Sequence, residues 1–189
     1  MSIRVPKWLL DFTGKIYLSK TPMFISYNPQ FHKLKGFEIQ QIIDVMEPGD
    51  ILLSRQGGYV NTLAIPGYWT HAAISINDNL IGHAIGKGTG TENQFDFFRC
   101  DGAAVLRPKT PVDIDSLLKR VMVTTAKNIP YDYEFKADNG AIYCTEFVDM
   151  MYEGLFKDDY AKDAGGGSVL IPDGIQNSDE VSTLIEFRH

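Results

Sequence analysis

The sequence predicts an α+β domain, a small antiparallel sheet packed against helices. Three observations lead there. Apolar runs of strand length, broken by turn residues, fill the middle of the chain. Stretches with apolar residues at three- and four-residue steps stand before and after them. The resulting order of helix, antiparallel strands, helix, helix keeps the two kinds of element apart, which suits helices on one side of a single sheet.

Residues 1–35 read as an irregular arm packed on a domain formed by residues 36–189. Pro6, Pro22 and Pro29 interrupt the arm, and Trp8, Phe12, Tyr17, Phe24 and Phe31 are its candidates for burial. Residues 36–46 have helical spacing at Phe37, Ile39, Ile42, Ile43 and Met46, and Glu47-Pro48-Gly49-Asp50 stops them. Ile51–Ser54 reads as a short buried strand and Gln56–Tyr68 as a loop. Trp69–Ile76 and Leu80–Ile85 read as a hairpin about Asn77-Asp78-Asn79. Gly86–Gly90 reads as a flexible loop, and Phe95–Phe98 and Ala103–Leu106 as strands joined at Asp101-Gly102. Asp113–Asn128 and Ala141–Phe156 read as helices. Ala164–Ser168 is a glycine-rich linker, and Thr183–Phe187 a last strand. No internal repeat and no second hydrophobic core are evident.

Composition narrows the function. The 189 residues suffice for one domain with a substantial core. A net charge of −6 makes nucleic acid a poor partner for the body. The arm differs: six basic residues against Asp11 give residues 1–35 a charge of +5 and leave −11 for the rest. Basic and aromatic together, the arm suits either packing on the body or contact with an anionic membrane surface or a partner. No apolar run is long enough to span a membrane and no signal peptide is evident, so the expected compartment is cytoplasmic. No Cys/His spacing indicates a metal, and no cofactor is expected.

The chemistry concentrates on Cys144 and His71. Cys144 stands where the Asp138-Asn139-Gly140 loop becomes a helical run. Free N–H groups in a first helical turn stabilise a thiolate and can hold an oxyanion. His71 begins a strand-like, small-residue stretch 73 residues earlier, and an imidazole near a thiol makes a nucleophile near neutral pH. His83 follows His71 by 12 residues, so a hairpin centred on residue 77 makes the two near cross-strand partners. His83 is then placed to fix the tautomer and orientation of the base. Tyr131 and Tyr133 approach from just before the second helix and are candidate oxyanion or substrate donors, Tyr131 the preferred one. Asp50, Glu146 and Cys100 are given no part in the chemistry, and a Cys100–Cys144 disulfide would silence the nucleophile.

Several segments together resemble the permuted papain-like (NlpC-type) thiol hydrolases, in their YiiX/YebB-like branch. They are Gly49-Asp50-Ile51-Leu52, Asn61 through Pro66-Gly67-Tyr68-Trp69-Thr70-His71-Ala72-Ala73-Ile74, Asp101 through Val105-Leu106-Arg107-Pro108, Tyr131-Asp132-Tyr133 with Phe135, Tyr143-Cys144-Thr145-Glu146-Phe147-Val148 and Ile171-Pro172-Asp173. Papain-type enzymes run Cys before His, whereas here His71 precedes Cys144, as a circularly permuted fold requires. The resemblance implies Cys144 as nucleophile and His71 as base. The third, polar position falls on His83, where this branch often has a carboxylate and the lecithin retinol acyltransferase relatives have histidine. The expected function is that of a cysteine amidase or peptidase acting through a thioester on a small peptide or a peptidoglycan stem peptide. A lipid ester hydrolase or acyltransferase, and a non-catalytic binding module, are the alternatives.

Overall fold

A computed structural model describes residues 7–18, 25–27, 32–59, 62, 65–135, 139–162 and 168–189. The chain begins with helix α1 (Lys7–Thr13) and a small hairpin of β1 (Ile16–Leu18) and β2 (Ile25–Tyr27). Helix α2 (Gly36–Val45) leads into β3 (Ile51–Arg55), β4 (His71–Ser75), β5 (Leu80–Ile85) and β6 (Gly88–Asn93). Then come a short helix α3 (Gln94–Phe97), β7 (Gly102–Pro108), α4 (Ile114–Ala126) and α5 (Cys144–Met151). A minor hairpin of β8 (Ala161–Lys162) and β9 (Ser168–Val169) precedes α6 (Pro172–Asn177) and β10 (Val181–Arg188). The main sheet has six strands in the order β10-β7-β3-β4-β5-β6, every neighbouring pair antiparallel.

Helices cover both faces of this sheet, not one. Alternation along the strands sends Ile51, Leu53, Ala72, Ile74, Ala104 and Leu106 to one side, where they meet Leu117 and Val121 of α4 and Phe147, Val148 and Met151 of α5. Leu52, Ala73, Ile81, Ala103 and Val105 go to the other side, against Ile42 of α2 and Phe97 of α3. The second cluster was invisible in the sequence because fully buried strands read as continuous apolar runs rather than alternating ones. Asp50 closes the turn into β3. Its carboxylate accepts from the Glu47 N–H at 2.7 Å and takes a two-pronged ion pair from Arg107.

Two local expectations are overturned next to the hairpin. Residues 88–93 form β6 rather than a flexible loop. Gly88 turns at φ +113° against the Ile129 carbonyl, a place no side chain fits, and the ladder to β5 then orders a segment of low strand propensity. Residues 94–97 form α3 rather than a strand, because Asn93 caps it by accepting from the Phe95 N–H at 2.9 Å. The second long helix is also shorter than its periodicity suggested: it starts at Cys144 and ends at Met151, and Gly154 follows at φ +82°.

In the arm, Trp8 and Phe12 lie one turn apart on α1, 69% and 51% exposed. Phe24 and Phe31 lie outside the described residues, as do residues 164–167 of the glycine linker. No helix among the described residues is long and apolar enough to cross a membrane.

Candidate active site

His71 and His83 meet. The Nε2 atom of His71 lies 3.2 Å from Nδ1 of His83, and the rings are 5.3 Å apart between centroids in an edge-on arrangement. The register that brings them together is two residues away from the one expected. His83 stands opposite Ala73, not His71. A shift of two leaves both rings on the same face, so they make contact diagonally; a shift of one would have separated them. The rings point to the α3 side of the sheet, where Phe97 lies 6.0 Å from His71 between centroids.

Cys144 stands on the opposite face of the sheet, on the helix that packs against β4 and β5. It is the first residue of α5, which the Glu146 carboxylate braces by accepting from the Tyr143 N–H at 3.4 Å. Thr145 fastens the first turn further by donating to the Leu170 carbonyl at 2.7 Å. The β4–β5 ladder stops at Ala73–His83, so the next rung, Ala72 with Ala84, is not made. The Ala72 N–H that this rung would have used is turned to the Cys144 sulfur. The N–H groups of Ala72, Thr145 and Cys144 itself and the Tyr131 hydroxyl act on the sulfur.

Burial pushes the Cys144 thiol above its ordinary range, and these four donors pull against it. Burial likewise lowers His71 to about 3, with His83 beside it adding to the fall, and lowers His83 to about 4. The resting arrangement is a protonated thiol with a neutral imidazole pair. Both cysteines are free, so no disulfide blocks the sulfur.

The two tyrosines part company. Tyr131 bonds the Cys144 sulfur, and burial holds its hydroxyl well above the usual phenol range. The turn from Tyr131 to Ile142 is pinned at its base, where the Ile142 N–H donates to the Pro130 carbonyl at 2.9 Å and the Asp132 N–H to the Ile142 carbonyl at 3.2 Å. Tyr133 packs edge-on against Tyr131 and donates to the Gly86 carbonyl at 3.2 Å. Both rings line a cavity of about 670 Å³ shared with His71, His83, Phe97 and Glu92, and with Thr13-Gly14-Lys15 of the arm.

The strand bearing His71 is anchored from α6. The Asp173 carboxylate accepts from the Tyr68 and Trp69 N–H groups, both at 2.9 Å, and the Trp69 indole donates to Gln176 at 2.6 Å. Gly67, at φ +98°, has no room for a Cβ against that carboxylate. Asp173 and Glu92 are the site-building residues that the residue-by-residue reading gave no role. Asp173 was visible only as part of an Ile-Pro-Asp piece, and Glu92 follows the stretch read as a loop. Cys100 sits apart, donating to the Gly102 carbonyl. Among the described residues no group of three or more His, Cys, Asp or Glu side chains is disposed to hold a metal.

Comparison with known proteins agrees with this architecture. A model of the permuted papain-like amidase enzymes, the YaeF/YiiX or C92 family, matches residues 45–165. The match takes in His71, His83, Tyr131 and Cys144 and more than half of the chain, so the chain belongs to that family. Its fold is similar to the crystal structure of metalloprotein YiiX from Escherichia coli O157:H7. The TM-score is 0.57 at 15% identity, over 76% of this chain and 98% of that one. Comparison with curated proteins finds no match.

Proposed function

We propose that the protein is a cysteine amidase that cleaves an amide bond in a small peptide or a peptidoglycan stem peptide, with Cys144 as nucleophile. The observation that carries this reading is the pairing of the His71 and His83 rings on β4 and β5, the two strands against which the helix headed by Cys144 packs. With Nε2 of His71 occupied by His83, Nδ1 is the nitrogen left to take the thiol proton. A neutral base beside a protonated thiol favours proton transfer as attack occurs over a standing ion pair.

Sulfur bonds to the carbonyl carbon, and the Cys144 N–H and the Tyr131 hydroxyl stabilise the oxyanion. His71 returns the proton to the leaving nitrogen, the carbon–nitrogen bond breaks, and a thioester remains. Water, deprotonated by His71, then attacks the thioester and releases the acid and the thiol. His83 keeps the His71 ring in register, and Tyr133 lines the substrate side.

Residues 1–35 are read as an arm on the catalytic domain of residues 36–189. The exposed Trp8 and Phe12 beside a basic stretch favour a second reading, an acyl ester of a membrane lipid. A panel of dipeptides, peptidoglycan fragments and phospholipids decides between them. Turnover of peptides that disappears in Cys144→Ala supports the amidase, and turnover confined to phospholipid overturns it.

A further inference from the structure

Glu92 was assigned no part in the chemistry above, yet it continues the line of polar side chains that starts at His71. The three residues lie on consecutive strands, His71 on β4, His83 on β5 and Glu92 on β6. Each is offset diagonally from the last, since Ala73 stands opposite His83 and Gly90 opposite His83 on its other side. Gly90 is bare there, and even a Cβ on it would touch nothing. The Glu92 carboxylate comes within 3.9 Å of His83 Nδ1, the same nitrogen that meets His71.

We propose that Glu92 is a positioning residue for this site, holding His83, and through it His71, in the charge arrangement that accepts the Cys144 proton. The proposal rests on the acyl-transfer reading above. An imidazole facing another imidazole has no fixed sense of donation, because either ring supplies a donor or an acceptor. An ionised carboxylate only accepts, and it carries charge. When the Cys144 proton moves to Nδ1 of His71, positive charge spreads through the Nε2 contact to His83, and Glu92 faces the shared nitrogen. In a half-buried site that attraction is stronger than in water.

The charges bearing on Glu92 are Asp96 on α3, which opposes its ionisation, and Lys87 in the β5–β6 turn, which favours it. Burial, the larger influence, raises it. The cavity side adds Lys15, Tyr131 and Tyr133.

The test is alkylation of the full-length protein by iodoacetamide across pH 5 to 10, scored by peptide mass at Cys144 with the buried Cys100 as internal reference. A loss of one pK unit of imidazolium stabilisation corresponds to about a tenfold change in the fraction of thiolate–imidazolium pair. Glu92→Gln is therefore expected to slow Cys144 alkylation about tenfold at pH 7. The deficit should vanish at alkaline pH, where the thiol ionises without help from histidine, and Glu92→Asp should recover most of the rate. A Glu92→Gln profile that superimposes on wild type overturns the proposal alone. So does an equal, pH-independent loss in both variants accompanied by a lower melting temperature, which marks a structural role. Wild-type Cys144 reacting no faster than Cys100 overturns the acyl-transfer reading and the proposal with it.

Discussion

Cys144 and Cys100 are both buried, both free and both close to backbone polar groups, but only one stands among groups that can use a thiolate. Cys100 lies at the turn into β7, where its thiol donates to the Gly102 carbonyl and burial pushes it up to about 12. Burial there outweighs the backbone contacts of Gly102 and Arg55, which pull the other way. Cys144 suffers the same burial, but three N–H groups and a phenol point at its sulfur. The difference is the number of groups acting against burial, four at Cys144 with the Tyr131 hydroxyl among them and two at Cys100. The helix tip and the Tyr131 hydroxyl together favour a thiolate at Cys144.

The sharpest way to break that contrast is to exchange the roles of the two thiols. Cys144→Ala should abolish amide hydrolysis, a loss of about 10⁴-fold or more in kcat, whereas Cys100→Ala should leave kcat/KM within about threefold and only lower the melting temperature. A comparable loss in both variants, measured on the same peptide, would erase the distinction. His71→Ala should cost about 10³-fold or more in kcat and bring Cys144 alkylation down toward the Cys100 rate. Tyr131→Phe removes one donor from the sulfur and keeps the ring. It should lower kcat about 10²-fold with little change in KM, and a change confined to KM would assign Tyr131 to substrate binding.

The smallest effect concerns stability. Both histidines titrate near 6.5 when unfolded and at about 3 and about 4 when folded. The unfolded chain therefore binds more protons between those values. Their stabilising contribution is complete above pH 6.5 and is lost as pH falls toward 4. Melting temperatures at pH 7.5 and pH 4.5 should differ more in wild type than in His83→Gln. An equal difference would show that the imidazole pair is not kept neutral by the fold.

The sequence reading was most accurate where local chemistry is strong. Asn77-Asp78-Asn79 marked the hairpin, Asp113 the start of α4 and the Gly140 loop the approach to α5, because each is a cap or turn with its own hydrogen bonds. The structure departs from expectation at Gly86–Gly90 and Phe95–Phe98. There a glycine-rich segment became a strand and an aromatic one a helix, since pairing with β5 and the Asn93 cap outweighed propensity.

By itself the sequence determined which side chains were available: one thiol at a helix start, two histidines an even number of residues apart, and two tyrosines before the helix. Even spacing was enough to put both rings on one face whatever even register the hairpin adopted. Only the tertiary structure decided that the ladder between β4 and β5 breaks off after Ala73, that the Ala72 N–H acts on the Cys144 sulfur, and that the Glu92 carboxylate comes within 3.9 Å of His83. Those are relations between strands and helices distant along the chain. They follow from how two apolar clusters close over the two faces of one sheet, which no local window of residues encodes.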